Sequence, residues 1–535
     1  MSIPHLREAL HCLESKMASL LSERDILESS LEQAVRMQSP IHRLPEELLS
    51  AIFEIGVFDA EEEDSATLFS LMLVSRGWRD VALHTPGLWS RIAVGTRHSL
   101  DRARLRLERS KSVPLHVCID FSPRMEYGSV TTESIVHAMD QLRSSIWRWK
   151  TFHLIVPNCS HAHATLTRCR EQAPALEMLS VRIRHSMQED RYSTLPFPLF
   201  NGRTPRLRSC SFTSFHFNWD LKITSKLRVL KLGGYWNGFA PSVDRILDIL
   251  RACPQLEELA LRNMSDIEAD PTSIASIGTT DHDCVGDTKM VHLPRLTKAS
   301  FYYSGNNRTR AILSFLSFPT LERMELCFLD NVSPMVEQLR RQSQTRLPLR
   351  HLRIEASYFN ELKLLRVLRR LPALTTLEFV DVEDVSSNFL KNLATPASTH
   401  TWTCPKLTHL CLEGCTSLDW ESLRSFVESR LPAQPRALPC QAGLHTTSSS
   451  SRSWKATSSA SASAYAAHAH TLSRIPAMHP VPGTMNTVGW PHRLASINLT
   501  RCHQISKEMV QWLRLYVAEV KCETTKGIWG EVMMA

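Results

Sequence analysis

The sequence predicts an α/β chain in which an N-terminal helix and a small helical bundle precede an irregular solenoid of strand–helix repeats. Two observations carry this. Between Leu44 and Trp89, two helix-spaced apolar stretches, LPEELLSAIFEIGVF and LFSLMLVSRGWRDVALHTPGLW, flank an acidic gap. From Leu176 onward, a phrase of the form LxxLxL returns ten times. With 535 residues, 43% of them hydrophobic, the chain exceeds the usual size of a single core, and stacked repeats let a core keep growing.

Residues 1–37 read as an amphipathic helix. Ile3, Leu6, Leu10, Leu13, Met17, Leu20, Leu27, Leu31 and Ala34 fall on alternating three- and four-residue steps, with Arg24 the one misfit. That spacing is a coiled-coil or bundle seam. Three fates stay open for it: packing back on its own chain, self-association through residues 3–34, or partial disorder. Pro40 ends the pattern.

Residues 41–92 read as the bundle. Leu44-Pro45-Glu46-Glu47 is a helix start, because proline suits a first turn and glutamates favour the positive end of the helix dipole. Leu48, Ile52 and Ile55 are spaced for one apolar face, with Leu49 and Phe53 beside it. Residues 59–64, DAEEED, predict a solvated loop. Leu68, Leu71 and Met72 resume an apolar face that Val74, Trp78 and Val81 continue. Thr85-Pro86-Gly87 is a stop, after which Leu88 and Trp89 dock as anchors. Residues 97–111 carry Arg97, Arg102, Arg104, Arg106, Arg109 and Lys111 among leucines. The segment 97–150 therefore reads as a linker helix and the start of the repeats.

The repeat array is expected over 151–432. Its phrases start at Leu176, Leu207, Leu227, Leu256, Leu296, Leu321, Leu349, Leu374, Leu407 and Leu494, mostly 20–33 residues apart, with one step of 87. That period is close to the leucine-rich repeats, in which a short strand is followed by a returning, often helical, segment. Residues 433–490 are rich in Ser, Ala, Pro and His and cannot bury enough apolar area to order. They read as a disordered insertion, either a regulatory loop or a gene-model artefact. Residues 491–522 then supply the last repeat and a capping helix from Ser506 to about Cys522.

The Leu44–Trp89 segment resembles an F-box. Leu44, Pro45, Glu46, Leu48, Ile52, Phe53, Val74, Ser75, Arg76, Trp78 and Arg79 stand in the family's places, and Pro86-Gly87-Leu88-Trp89 is similar to the extended end common in fungal proteins. The acidic spacer is longer than usual. The repeats resemble the leucine-rich repeats that follow the F-box in one branch of this family, best in Leu410-Cys-Leu412-Glu-Gly-Cys415 and Ile497-Asn-Leu499-Thr-Arg-Cys502. The resemblance implies a substrate receptor of a Skp1–cullin–F-box ubiquitin ligase. Leu44, Pro45, Leu48, Ile52, Phe53, Leu71 and Val74 are then the candidates to contact Skp1 or to hold the helices that do. Arg228, Lys231, Glu258, Arg262, Glu325, Arg353, Glu378 and Glu413 are the candidates on the strand-bearing concave face for an unknown protein substrate. The alternative is a repeat scaffold that directs no ubiquitination.

No catalytic motif accompanies these features, so no enzyme, cofactor or metal is expected. Cys159, His161, His163 and Cys169 match no standard zinc spacing and predict a polar loop after a strand at Phe152–Val156. Sixty-two basic against fifty-four acidic residues leave +8, too little to indicate nucleic acid. No run of 18 apolar residues suggests a membrane span. The fourteen cysteines form no even framework, which fits the cytoplasm or nucleus.

Overall fold

In an LxxLxL phrase the fourth and sixth residues are two apart, so a strand points both to the same side. A computed structural model describes residues 2–38, 40–58, 65–122, 131–184, 199–215, 225–235, 240–266, 290–343, 347–396, 402–431 and 491–522. In it each of the ten phrases runs into a parallel strand, and the leading leucine of each is buried in the turn before it. The acidic spacer and the 433–490 insertion lie outside the described residues. The chain divides into two units, Met1–Asp330 and Asn331–Ala535.

The first unit opens with α1 (Ile3–Gln38), a 3-10 turn (Pro40–Arg43), α2 (Glu46–Phe58), α3 (Ser65–Val74), α4 (Arg76–His84) and a second 3-10 turn (Pro86–Trp89). The array follows: β1 (Arg91–Gly95), α5 (Leu100–Arg109), β2 (Leu115–Asp120), α6 (Thr132–Arg143), β3 (Trp149–Val156), α7 (Cys159–Leu166), β4 (Met178–Ile183), β5 (Ser209–Thr213), β6 (Val229–Tyr235), β7 (Glu258–Met264), β8 (Val291–His292), β9 (Lys298–Tyr302), β10 (Leu316–Ser317) and β11 (Arg323–Cys327). Helices Val243–Arg251 and Asn306–Phe315 lie between the later strands. β1 to β7, β9 and β11 pair in chain order, all parallel, while β8 and β10 pair apart. Val117, Phe152, Leu179, Cys210, Leu230, Leu259, Ala299 and Met324 share one cross-strand register and are all buried. Each large side chain in such a row contributes roughly 1.5–3 kcal/mol by leaving water.

The second unit carries β12 (His351–Glu355), β13 (Thr376–Val380), β14 (His409–Glu413), β15 (Ser496–Asn498) and β16 (Glu519–Lys521), again parallel and in order. Helices Ser333–Gln342, Glu361–Leu368, Ser387–Ala394, Trp420–Glu428 and Lys507–Tyr516 return the chain between strands. Most are N-capped by Asn360, Ser386, Asp419 or Ser506, whose side chains accept from the first-turn amides.

Two local devices recur. Residues that follow the strands turn in the left-handed region, among them Ser214, Tyr303, Phe328, Ala356, Asp381 and Gly414. Their amides often extend the ladder to the next strand, as from Asp381 N to Glu413 O at 2.8 Å. Buried arginines clip turn carbonyls. Arg148 donates to Leu107 O at 3.0 Å and Val113 O at 3.3 Å. Arg430 donates to Thr403 O and Cys404 O, and burial pushes its pKa down to about 10.

Several expectations change. The array starts at β1 and β2, before the first LxxLxL phrase, and α5 is part of it. The residues expected to form a polar loop after β3 instead form α7, because Asn158 caps it by accepting from His161 N at 2.9 Å. The C-terminal helix stops at Tyr516. Val517 is extended, and 519–521 add a further strand beside β15 rather than a longer capping helix. The first helix does not pack back: every described side chain from Ser2 to Val35 is exposed.

Candidate functional site

The helical bundle is built around Leu49, Phe53, Val57, Leu68, Val81, Ala82, Leu88 and Trp89. Ser75 caps α4 by accepting from Trp78 N at 3.2 Å, which holds the Trp78 ring 4.9 Å from Phe53. Trp89 donates from Nε1 to Ala82 O at 2.9 Å, so its polar edge is satisfied inside the core. Thr85 Oγ1 donates to Val81 O at 2.7 Å and closes α4.

The core side of α2 is therefore the Leu49/Phe53/Val57 stripe. The neighbouring stripe faces solvent: Leu48 is 53%, Ile52 49% and Ile55 68% exposed. On α3, which packs on α2, Leu73 is 84% exposed, and Phe69 and Val74 are exposed too. Of the seven candidates for Skp1, Pro45, Leu48, Ile52 and Val74 are exposed, and Leu44 and Leu71 are half-buried. Phe53 is 1% exposed. It can hold the helices but cannot itself be a contact. Phe69 and Leu73 were not singled out from the sequence. Exposed apolar side chains on two packed helices are of the kind that marks a protein-binding site.

The bundle is braced against the array. Arg91 lies over the Phe58 ring at 4.4 Å, Arg102 over Phe69 at 5.7 Å and Arg109 over Trp89 at 4.5 Å. Arg106, 4% exposed, donates from Nη1 to Arg91 O at 2.8 Å. Three of the six basic residues of the run around α5, Arg102, Arg106 and Arg109, thus lie on aromatic faces or a carbonyl.

The eight candidates for a substrate lie on or beside the sheet's solvent side. In the first unit Lys231 and Glu258 pair at 2.7 Å, Arg228 meets Glu257 at 3.4 Å, Glu325 is held by Arg323 at 2.7 Å, and Arg262 is exposed. In the second unit Arg353 faces Glu378 in register and donates to it at 2.8 Å, and to Glu355 at 2.8 Å. Burial opposes the Arg353 charge, but the hydrogen bonds to Glu355 and Glu378 outweigh it and raise its pKa. Glu413 accepts from Arg501 at 3.1 Å, and Arg501 also reaches Asp381 at 2.9 Å. Most of these charges are thus paired within the chain, each exposed pair holding only about 0.2–1 kcal/mol, so a partner can exchange them. One group escaped the sequence reading. Tyr302, Tyr303 and Phe328, at the ends of β9 and β11, form an aromatic cluster, with Tyr303 and Phe328 stacked at 4.3 Å. Tyr303 is 44% exposed. Both it and Phe328 have positive φ, near 47° and 53°, a conformation rare for bulky residues.

Five described thiols are not poised for chemistry. Burial pushes Cys118 and Cys502 up to about 11, and Cys253, Cys404 and Cys415 up to about 12, opposite to an activated nucleophile. His161 and Cys169 are buried in and beside α7, and among the described residues no group of three His, Cys, Asp or Glu could hold a metal ion. Among the described residues no helix is long and apolar enough to cross a membrane.

Residues 41–94 match the F-box-like family. The match spans the bundle and β1 and leaves most of the 535 residues outside it. An F-box domain is in general a Skp1-binding, non-catalytic adaptor module. Among solved structures the chain is similar to an internalin (inlF) from Listeria monocytogenes str. 4b F2365, at 11% identity over 70% of this chain and 94% of that one, with a TM-score of 0.32. It is also similar to TLR13 in a TLR13–ssRNA13 complex, at 13% identity over 63% of this chain and 55% of that one, with a TM-score of 0.29. Likenesses of this size carry no argument about function. No curated protein matches the chain.

Proposed function

We propose that this chain is the substrate-recognition adaptor of a Skp1–cullin–F-box ubiquitin ligase. The bundle at 41–92 binds Skp1, and cullin through it. The strand–helix array, which begins at β1 and is read as leucine-rich repeats, binds a protein substrate that the assembled ligase ubiquitinates. The observation that carries this reading is the uncovered Leu48/Ile52/Ile55 stripe, lying beside the buried stripe of an F-box-like bundle. A soluble monomer has little reason to leave such a stripe in water on a helix it has already packed. Cys169, Cys210, Cys253, Cys404, Cys415 and Cys502 are buried free thiols, which suits the cytoplasm or nucleus.

Two tests bear on it. Leu44→Ala with Pro45→Ala is expected to abolish copurification with Skp1, and undiminished copurification would sink the reading. Ubiquitin transfer to a captured protein in a reconstituted ligase, dependent on residues 44–89, supports the degradative role. Skp1 binding without transfer leaves a non-degradative scaffold. For the substrate, proximity labelling with a chain lacking 40–90 is expected to enrich interactors. Their loss on charge reversal at Arg353 and Glu378 supports the strand face, and retention through residues 1–40 alone contradicts it.

A further inference from the structure

We propose that α1 is an antiparallel dimerisation helix whose occupant is α1 of a second copy of this chain. A helix of 36 residues is about 54 Å long. Its seam, from Ile3 to Ala34, is exposed along its whole length: Leu10, Leu20 and Leu27 are each more than 60% exposed. An isolated helix of mixed composition gains little by itself in water, and most helical stability comes from covering an apolar face.

The charges flanking the seam select the partner and its direction. With Ile3 and Leu6 as the a and d positions of a heptad, Lys16 and Glu23 are g positions, and Arg7 and Glu28 are e positions. In a parallel, in-register pair, g residues face e residues five places on. Glu23 then meets Glu28 of the other copy, twice, and the two Arg24 side chains meet each other inside the seam. An antiparallel pair sets g against g and e against e. The register that places Ile3 opposite Ala34 and Met17 opposite Leu20 covers every seam position. It also brings Lys16 to Glu23 and Arg7 to Glu28 of the other copy, twice each, and sets Arg24 against Leu13. Sliding one heptad either way sets Lys16 against Lys16 or Glu23 against Glu23. One register therefore satisfies both the apolar seam and the charges, which is the complementarity expected of a helix built to meet itself.

The test uses the full chain and analytical ultracentrifugation. Glu23→Lys is expected to weaken the dimer at least tenfold, and Lys16→Glu combined with Glu23→Lys to restore it. The residues three and four places from Lys16 and Glu23 are uncharged, so neither change alters an intrahelical pair. A wild-type chain that stays monomeric, a dimer unchanged by Glu23→Lys, or a double variant that does not recover overturns the proposal. So does tightening by Glu23→Lys, the signature of a parallel pair. A second readout needs no change in affinity. In a Cys12→Ser background, chains carrying Leu10→Cys are expected to form disulfides with chains carrying Leu27→Cys and not with one another; self-crosslinking of Leu10→Cys contradicts the antiparallel arrangement. Skp1 copurification rests on other residues and should be unchanged in Glu23→Lys, so the two proposals fail separately.

Discussion

The Arg109 guanidinium lies over the Trp89 ring at 4.5 Å, so the last anchor of the helical bundle is also the stop for the first helix of the array. Trp89 is 3% exposed and is held by its bond to Ala82 O. Arg109 closes its remaining face. The bundle and the start of the array should therefore unfold together. Arg109→Ala is expected to cost about 0.5–2 kcal/mol, read as a lower urea midpoint with one transition retained. A midpoint equal to that of the wild type would show that the ring contact contributes nothing.

Gly95 ends β1 with φ near 155°, and a Cβ there would stand 1.7 Å from Asp120 O on the neighbouring strand. No side-chain rotation relieves a clash with backbone. Gly95→Ala is expected to destabilise the first unit by about 2 kcal/mol or more. Circular dichroism melting checks it. An unchanged melt contradicts the close β1–β2 approach at this point.

His116 on β2 sits 3.1 Å from Thr151 Oγ1 through Nδ1. Burial, then the charges of Lys150, Arg91 and His153, hold its pKa below the ordinary value near 6.5. Burial and Arg182 do the same to His153. As pH falls through about 6.5 the unfolded chain takes up these protons first, so stability drops from there until the folded-state values are passed. The melting temperature is expected to fall between about pH 7.5 and 5.5, and to fall less steeply in His116→Gln. Equal slopes for the two chains contradict this assignment.

The ten LxxLxL strands were legible because each places large apolar residues at fixed spacing, and all the leading leucines proved buried. β1 and β2 were less so. Ile92 and Val94, or Val117 and Ile119, alternate without a leading phrase to mark the repeat. In α2, periodicity showed an apolar helix but not which of two adjacent stripes was covered. The positions of Leu68 on α3 and Val81 on α4 settle that, and they settle it for Phe53 rather than for Leu48. The Tyr303–Phe328 stack depends on the register of β9 and β11. The Arg501–Asp381 pair joins residues 120 positions apart, across the long insertion, and no local pattern indicates it.

The central claim is that the uncovered stripe of α2 is where Skp1 binds. Its most direct measurement is the affinity of the full chain for purified Skp1, by isothermal titration calorimetry, with and without Leu48→Ser and Ile52→Ser together. Apolar side chains at a partner surface each contribute about 1–3 kcal/mol, and both residues are about half exposed here, so their loss touches binding more than folding. The account predicts a fall in affinity of about thirtyfold or more with an essentially unchanged melting temperature. Wild-type affinity in the double variant would contradict it.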